Sequence, residues 1–216
     1  MTSCCRPEAY GAFFSEKAAR RALRRYRKRG LDGLSARIAD LIRGHGVSGA
    51  TVLEIGGGIG ALEVELLQAG AERGTNVELS PEYEEAAAEL MNERGLEGRI
   101  ERRLGDFAAE PGVPGADAVV LNRVVCCYPD YNALVGTAAE HTHRLLVFTF
   151  PRERLLVRAT FALMNLWLRL RRNDFRGFVH PVRAMLEVAQ RRGLTPVLEH
   201  RGLFWQLAAL ERPVQP

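Results

Sequence analysis

The chain has 216 residues, of which 47% are hydrophobic and 26% are charged, and its formal net charge is +4. This length suits one domain with a substantial core, and the balance of residue types excludes a disordered chain. We find no run of about 20 apolar residues that would span a membrane and no signal peptide, so we expect a cytoplasmic protein.

Residues 1–46 are predicted to form an N-terminal helical segment that covers a substrate site. Hydrophobic spacing indicates two helices, at residues 16–29 and 34–44. Seven of the ten positions from Arg20 to Arg29 are Arg or Lys. Such a run is either a solvated helix face or an attraction for an anionic partner: an acidic small molecule, a membrane surface or nucleic acid.

Strands and helices alternate from residue 50 to about residue 145. The predicted strands are 50–55, 74–79, 99–104, 117–121 and 144–150, with helices at 61–69, 81–94 and 131–140. This alternation predicts an α/β fold, with a mostly parallel sheet and helices on both faces. Ser80 is expected to cap the helix that follows it.

The remainder of the chain is predicted to complete the domain that occupies residues 47–216. A helical insertion at about 152–181 follows the fifth strand, and another helix is expected at 182–192. Two closing strands, at 195–200 and 204–210, bring the predicted sheet to seven strands.

A glycine-rich turn follows the first predicted strand and reads Glu54-Ile55-Gly56-Gly57-Gly58-Ile59-Gly60. Glycines permit a tight turn and a close approach of the backbone to a ligand. Gly56, Gly58 and Ala61 also satisfy the dinucleotide pattern G-x-G-x-x-G/A, so the turn alone does not identify its ligand.

Acidic residues at the strand ends favour S-adenosylmethionine (SAM) over a dinucleotide. Glu54 can approach the cationic methionine amine and would repel a pyrophosphate. Glu78 can accept from both ribose hydroxyls, Asp106 from the adenine amino group, and Phe107 or Ile59 can pack on the ring. The predicted cofactor-binding set is Glu54, Gly56, Gly58, Gly60, Glu78, Leu79, Asp106, Phe107 and Asn122.

The series E-x-G-x-G-x-G, a second acid and G-D-F resembles class I SAM-dependent methyltransferases from about residue 45 to the end. The resemblance implies a Rossmann-like seven-stranded sheet, SAM as the cofactor and methyl transfer as the activity. The Tyr128-Pro129 step, the Phe148–Pro151 strand end and the basic N-terminal helix resemble the magnesium-protoporphyrin O-methyltransferase branch. In that branch a tyrosine and a histidine are expected near the acceptor; Tyr26 matches the first, but Cys127 replaces the second, which argues against a tetrapyrrole acceptor.

Three residues are candidates for catalysis: His180, Tyr26 and Cys127. His180 follows the insertion and could act as a base near neutral pH, or it could be a structural hydrogen-bonding residue. The Cys4-Cys5 and Cys126-Cys127 pairs could meet and bind a soft metal or metalloid, or form a redox-sensitive lid. Cysteines are more often small buried apolar residues, so we assign no metal site.

The insertion carries many apolar side chains and could form a wall over the methyl acceptor, together with Tyr10, Phe13 and Phe14. Arg154 and Arg158 could bind carboxylates of that acceptor. We therefore expect a small, partly apolar acceptor, anionic or aromatic, that is methylated on oxygen or, as the alternative, on sulfur. Contact with a membrane surface stays open.

Three other functions remain as alternatives. A nucleic-acid methyltransferase is disfavoured because neither Asn-Pro-Pro-Tyr nor Pro-Cys follows the fourth strand. A NAD(P)-binding oxidoreductase would use the same order of strands, and a SAM-binding module without catalysis would bind the cofactor and turn nothing over.

Overall fold

The computed structural model describes residues 10–11, 13–110 and 112–213 of the chain. Its sheet contains seven strands in the order β3-β2-β1-β4-β5-β7-β6. Strands β1 to β5 run parallel to one another, and β7 is antiparallel to both β5 and β6. The strands are β1 Thr51–Ile55, β2 Arg73–Glu78, β3 Ile100–Leu104, β4 Ala116–Leu121, β5 Thr142–Pro151, β6 Thr195–Arg201 and β7 Trp205–Glu211. The predicted sheet is confirmed.

The helices also follow the predicted pattern, with one correction. They are α1 Glu16–Arg29, α2 Gly33–Gly44, α3 Ala61–Gln68, α4 Glu84–Glu93, α5 Tyr131–Glu140, α6 Leu155–Leu170 and α7 Val182–Gln190. The predicted helix after Ser80 begins as a 3-10 turn at Pro81–Tyr83, and the Ser80 side chain does not cap it. Its hydroxyl instead donates to the backbone carbonyl of Phe14 at 3.1 Å.

Two apolar layers lie on the two faces of the sheet. Because side chains alternate along a strand, Val52 faces a layer built with α1 to α4, and Leu53 faces a layer built with α5 and α7. Leu23 of α1 and Ile38 and Ile42 of α2 are at most 1% exposed in the first layer. The N-terminal helices therefore belong to the same core as the sheet.

The insertion after β5 lies over the carboxyl ends of the central strands. Leu168 of α6 and Phe175 form a small buried cluster with Tyr10. Phe13 stacks on Phe175 with ring centroids 4.3 Å apart. These contacts join the start of the described chain to the insertion above the sheet. Among the described helices, none is long and apolar enough to cross a membrane.

Candidate active site

Two cavities adjoin the glycine turn at the carboxyl ends of the parallel strands. The strand-end cavity is lined by Tyr10, Phe14, Ile55, Gly56, Gly58, Val77, Glu78, Leu79, Tyr83, Gly105, Asp106, Phe107, Asn122, Arg123, Val124, Cys127, Tyr128 and Leu134. The helix-side cavity lies between the turn and α1 and α2, and its wall includes Arg25, Tyr26, Asp32, Glu54 and Arg123. Ligands of parallel α/β sheets bind at this edge.

The glycine turn requires glycine at two positions of the cavity wall. Gly56 and Gly58 have φ angles of 62° and 59°, which L-residues with a side chain rarely adopt. A Cβ atom on Gly56 would lie 2.7 Å from Cγ2 of Val124, and one on Gly58 would lie 3.1 Å from the Tyr83 ring. Gly60 caps α3 and lines neither cavity. The turn thus leaves backbone, not side chains, facing a ligand.

Glu78 ends β2 with its carboxylate fixed at the cavity wall. One oxygen accepts from the Gly58 N–H at 2.8 Å, and the other accepts from the N–H groups of Leu79 and Ser80 at 2.9 Å. Burial raises the pKa of Glu78, although these hydrogen bonds and Arg102 act in the opposite direction. The oxygen that accepts from Gly58 keeps a second acceptor site, so the carboxylate can accept from a ribose hydroxyl.

Glu54 lies behind the glycine turn. It is 3% exposed, it borders the helix-side cavity and it is not part of the strand-end cavity wall. Its Oε2 accepts from the Glu63 N–H at 3.3 Å and from the Asn76 amide at 3.5 Å. Burial raises the pKa of both Glu54 and Glu63. No local sequence pattern marks Glu63 or Asn76 as members of this site.

The loop after β3 places an acid and an aromatic ring at the far end of the strand-end cavity. Oδ2 of Asp106 accepts from the Tyr128 hydroxyl at 2.9 Å, and Oδ1 accepts from the Ala108 N–H at 3.1 Å. Phe107 is 3% exposed and lies edge-on to the His141 ring. The predicted adenine end therefore has its acceptor and its apolar wall.

The loop after β4 is fixed by side chains that lie far away in sequence. The Asn122 side-chain oxygen accepts from Thr149 at 3.1 Å, and its amide donates to Ser35 at 3.0 Å. Arg123 has a φ of 63° and makes two hydrogen bonds with Asp32, at 2.7 and 3.0 Å. Partial burial alone would raise the pKa of Asp32, but the hydrogen bonds from Arg123 lower it to about 2. Arg123 borders both cavities and was not predicted.

A family model described as a methyltransferase domain matches residues 14–199. The chain belongs to this methyltransferase family. The family match, together with structures of the same fold that hold SAM or its demethylated product, supports S-adenosylmethionine as its cofactor.

Solved structures show that the same fold holds SAM or its demethylated product elsewhere. This methyltransferase is similar to magnesium protoporphyrin IX methyltransferase from Synechocystis, with a TM-score of 0.67, 18% identity and coverage of 83% of this chain and 82% of that chain. It is also similar to an O-methyltransferase family 2 protein from Planctomyces limnophilus, solved with apigenin, with a TM-score of 0.65, 22% identity and coverage of 92% and 62%.

Two curated proteins resemble parts of the chain. Over 104 residues it is 38% identical to the mitomycin biosynthesis 6-O-methyltransferase of Streptomyces lavendulae, covering 45% of this chain and 29% of that protein. Over 77 residues it is 39% identical to the N,N-dimethyltransferase OxyT of Streptomyces rimosus, covering 36% and 22%. The methyltransferase thus spans less than a third of the length of either relative.

Tyr26, a predicted catalytic residue, lies apart from Cys127. Its hydroxyl donates to Glu65 at 2.8 Å, and burial, together with that bond, raises its pKa to about 12. Tyr10, in contrast, lines the strand-end cavity and donates to the Cys127 carbonyl. The catalytic prediction for Tyr26 is therefore not supported by its position.

His180 lies beneath the loop after β4 rather than in either cavity wall. Its Nε2 is 2.8 Å from the Tyr128 carbonyl oxygen, and its ring contacts those of Phe178 and Tyr131. Burial lowers its pKa, although the hydrogen bond to Tyr128 acts in the opposite direction. This position fits the structural role that the sequence left open, and not that of a base.

Cys127 does line the strand-end cavity. Its Sγ is 3.6 Å from that of Cys126, and this contact and burial raise the pKa of the Cys127 thiol well above its usual range. It is therefore a protonated thiol at neutral pH and not a base. Cys4 and Cys5 lie outside the described residues, and the described part of the chain contains no group of three or more metal-ligating side chains.

The basic run of α1 is partly neutralised by α4. Arg20 forms ion pairs with Glu85 and Glu89, and Arg27 forms ion pairs with Glu89 and Glu93. These contacts join two helices of the same layer, and none of the paired residues lines either cavity. Part of the run is thus a solvated helix face, as one of the two interpretations of the sequence expected.

Proposed function

We propose that this methyltransferase transfers the SAM methyl group to a small, partly apolar acceptor, with oxygen as the favoured acceptor atom and sulfur as the alternative. The observation that carries the proposal is the wall of the strand-end cavity beyond Glu78 and Asp106. That part of the wall is formed by the apolar or aromatic residues Tyr10, Phe14, Leu79, Val124, Cys127 and Tyr128. Such a surface suits a flat organic molecule.

We assign each part of SAM to a part of this site. In the proposal Asp106 and Phe107 hold adenine, Glu78 holds the ribose and the glycine turn faces the methionine part. Glu54 attracts the methionine amine from behind the turn. The sulfonium methyl group then points towards the loop after β4.

The side chains near that loop favour an acceptor that is already ionised and does not need a base from the protein. Among the described residues of the cavity wall, Cys127 is a protonated thiol and neither His180 nor Tyr26 is present. Alignment of the acceptor with the methyl–sulfur bond can supply most of the acceleration. A phenolate or a carboxylate needs no base, and Arg123 at the cavity wall would attract such an anion.

Of the two similar curated proteins, one is a 6-O-methyltransferase of mitomycin biosynthesis and the other is an N,N-dimethyltransferase. An amine acceptor is therefore the second candidate. It predicts transfer to neutral amines at high pH and no preference for anionic compounds.

The test is transfer from isotopically labelled SAM to a matched panel of compounds. The panel contains hydroxylated aromatic acids, aromatic thiols, the corresponding amines and RNA. We expect labelled oxygen methyl ethers or esters, and loss of transfer in Glu78→Ala but not in Glu97→Ala, whose carboxylate is exposed. Labelling of amines or RNA alone would overturn the proposal.

Cofactor selectivity is tested separately by thermal denaturation. A ligand at about 100 times its dissociation constant stabilises by about 2.7 kcal/mol, which is about 5–10 °C in a domain of this size. We expect this shift with SAM or its demethylated product and no shift with NAD(H). The reverse result would favour the oxidoreductase alternative.

A further inference from the structure

The outer face of α6 exposes a continuous apolar surface. The exposed large side chains of this helix are Leu155, Leu156, Leu163, Leu166, Trp167 and Leu170. Leu155 and Leu156 are 84% and 83% exposed. A single exposed leucine is ordinary on a protein surface, but a contiguous patch of this kind marks a contact site.

Helical periodicity shows that this surface is one stripe. Leu156, Leu163 and Leu170 recur every seven residues, which is about two turns of an α-helix. The side of α6 that packs on the protein is formed by Val157 and Leu168, which are 5% and 2% exposed. The helix is therefore apolar on two opposite sides, and the outer side is not needed for the core.

Arginines border this stripe without acidic partners. Arg154, Arg158, Arg169, Arg171 and Arg172 are exposed, and residues 154–173 contain no Asp or Glu. None of the five forms an ion pair within the described part of the chain. The Arg171 guanidinium lies 4.5 Å from the centroid of the Trp167 ring.

We propose that the outer face of α6 docks on an anionic phospholipid bilayer. Leucine and tryptophan on one side of a helix, flanked by arginines, allow it to lie in the interface with its apolar side chains among the acyl chains. The arginines would be attracted by anionic headgroups. A second copy of the chain fits poorly, because a two-fold contact would bring the same arginines against one another.

The position of α6 gives this docking a consequence for the methyltransferase. The inner side chains Met164 and Leu168 pack with Tyr10 and Phe175, next to the strand-end cavity. One helix diameter, about 10 Å, thus separates the lipid from the cavity roof. The acceptor would then be a molecule that partitions into the bilayer; this consequence rests on the proposed function, whereas the docking does not.

The test is co-sedimentation of the full chain with phospholipid vesicles, without SAM or acceptor. Vesicles of phosphatidylcholine alone are compared with vesicles that contain about one quarter phosphatidylglycerol. We expect binding to the anionic vesicles and about tenfold weaker binding to the neutral ones. Binding should also shift the fluorescence of Trp167 to shorter wavelength, and Trp167→Phe should remove that shift.

Matched variants separate the apolar stripe from net charge. Arg158→Gln with Arg169→Gln should weaken binding about tenfold or more, whereas Arg183→Gln with Arg191→Gln on α7 should change it less than about twofold. Leu163→Ser with Leu170→Ser should remove the fluorescence shift. Circular dichroism and stabilisation by the demethylated cofactor confirm that each variant folds.

Three results would overturn the docking proposal. The first is no sedimentation with anionic vesicles, and the second is an equal loss in the α7 control pair. The third is a dimer that the Leu163→Ser and Leu170→Ser variant dissociates, which would assign the face to a second copy. The vesicle test contains neither SAM nor acceptor. Its outcome is therefore independent of the outcome of the methyl-transfer assay.

Discussion

Asp32 joins the N-terminal helices to the loop that follows β4. Its Oδ1 accepts from the N–H groups of Leu34 and Ser35 at 3.1 Å and thereby caps α2, while both of its oxygens bind Arg123. One carboxylate therefore holds a helix start and a cavity wall together. The cap and the ion pair can be separated, because asparagine is also a good N-cap residue.

We expect Asp32→Asn to lower the free energy of unfolding by about 1 kcal/mol and Asp32→Ala by about 2 kcal/mol. The folded pKa of about 2 lies below the ordinary 3.8. The stabilisation is thus complete above about pH 4 and is lost as the pH falls towards 2. Urea unfolding at neutral and acidic pH measures both effects. Equal losses in the two variants would show that the cap contributes nothing.

Glu54 offers a second effect of pH, this time on cofactor binding. Burial raises its pKa, so the folded protein retains a proton there at pH values where a free carboxyl group is ionised. The same shift means that the stability of the protein without its cofactor declines as the pH rises above the ordinary value of 4.5. A cationic amine beside Glu54 would favour the ionised form.

We therefore expect SAM affinity to increase between about pH 6 and about pH 8, with release of a proton on binding. Glu54→Gln should lower the affinity at the higher pH and remove most of this dependence. Calorimetry in two buffers of different ionisation enthalpy measures the proton release, and Glu97→Gln is the control. An unchanged pH dependence in Glu54→Gln would mean that this carboxylate does not sense the amine.

At the scale of elements, the loop after β4 is held in place by the segment that leads into α7. His180 Nε2 lies 2.8 Å from the Tyr128 carbonyl oxygen, and the Phe178 N–H donates to the Cys126 carbonyl at 2.7 Å. Tyr128 in turn reaches Asp106. We propose that His180 acts through this loop, as a residue that positions it.

We expect His180→Gln to reduce kcat several-fold and the free energy of unfolding by about 1 kcal/mol, with an unchanged shape of the pH–rate profile. If His180 were the catalytic base, its loss would instead remove the rise of the pH–rate profile near about pH 6.5. His143→Gln, at an exposed position, should match the wild type. Disappearance of that rise in His180→Gln alone would restore histidine as the base.

The elements and the cofactor edge could be predicted from the sequence for physical reasons. Alternation of strands and helices predicts parallel strands, and their carboxyl ends define the ligand edge, so Glu78 and Asp106 stood out. Contacts between distant segments could not be predicted. No local pattern shows that Tyr10, rather than Tyr26, contacts Cys127, since Tyr10 and Cys127 are 117 positions apart in the sequence.

At the scale of the whole molecule, the N-terminal helices and the sheet form one core. The first 46 residues were predicted to be a substrate cap, yet α1 and α2 bury Leu23, Ile38 and Ile42 in the layer that also contains Val52. Among the described residues of this segment, Tyr10 and Phe14 line the strand-end cavity. A cap that shares the core cannot open as an independent unit without disturbing the sheet.

Ile38→Ala tests whether this coupling exists, because Ile38 is fully buried at 0% exposure. We expect a loss of about 2–4 kcal/mol from the lost burial and the remaining cavity. Both tryptophans, Trp167 and Trp205, lie outside the N-terminal segment. If the chain unfolds as one unit, their fluorescence and the helical circular dichroism must shift to the same lower urea midpoint. Leu203→Ala, at a 90% exposed position, should leave that midpoint unchanged. An independent cap would instead lose helical signal first while the tryptophan transition stayed at its wild-type midpoint.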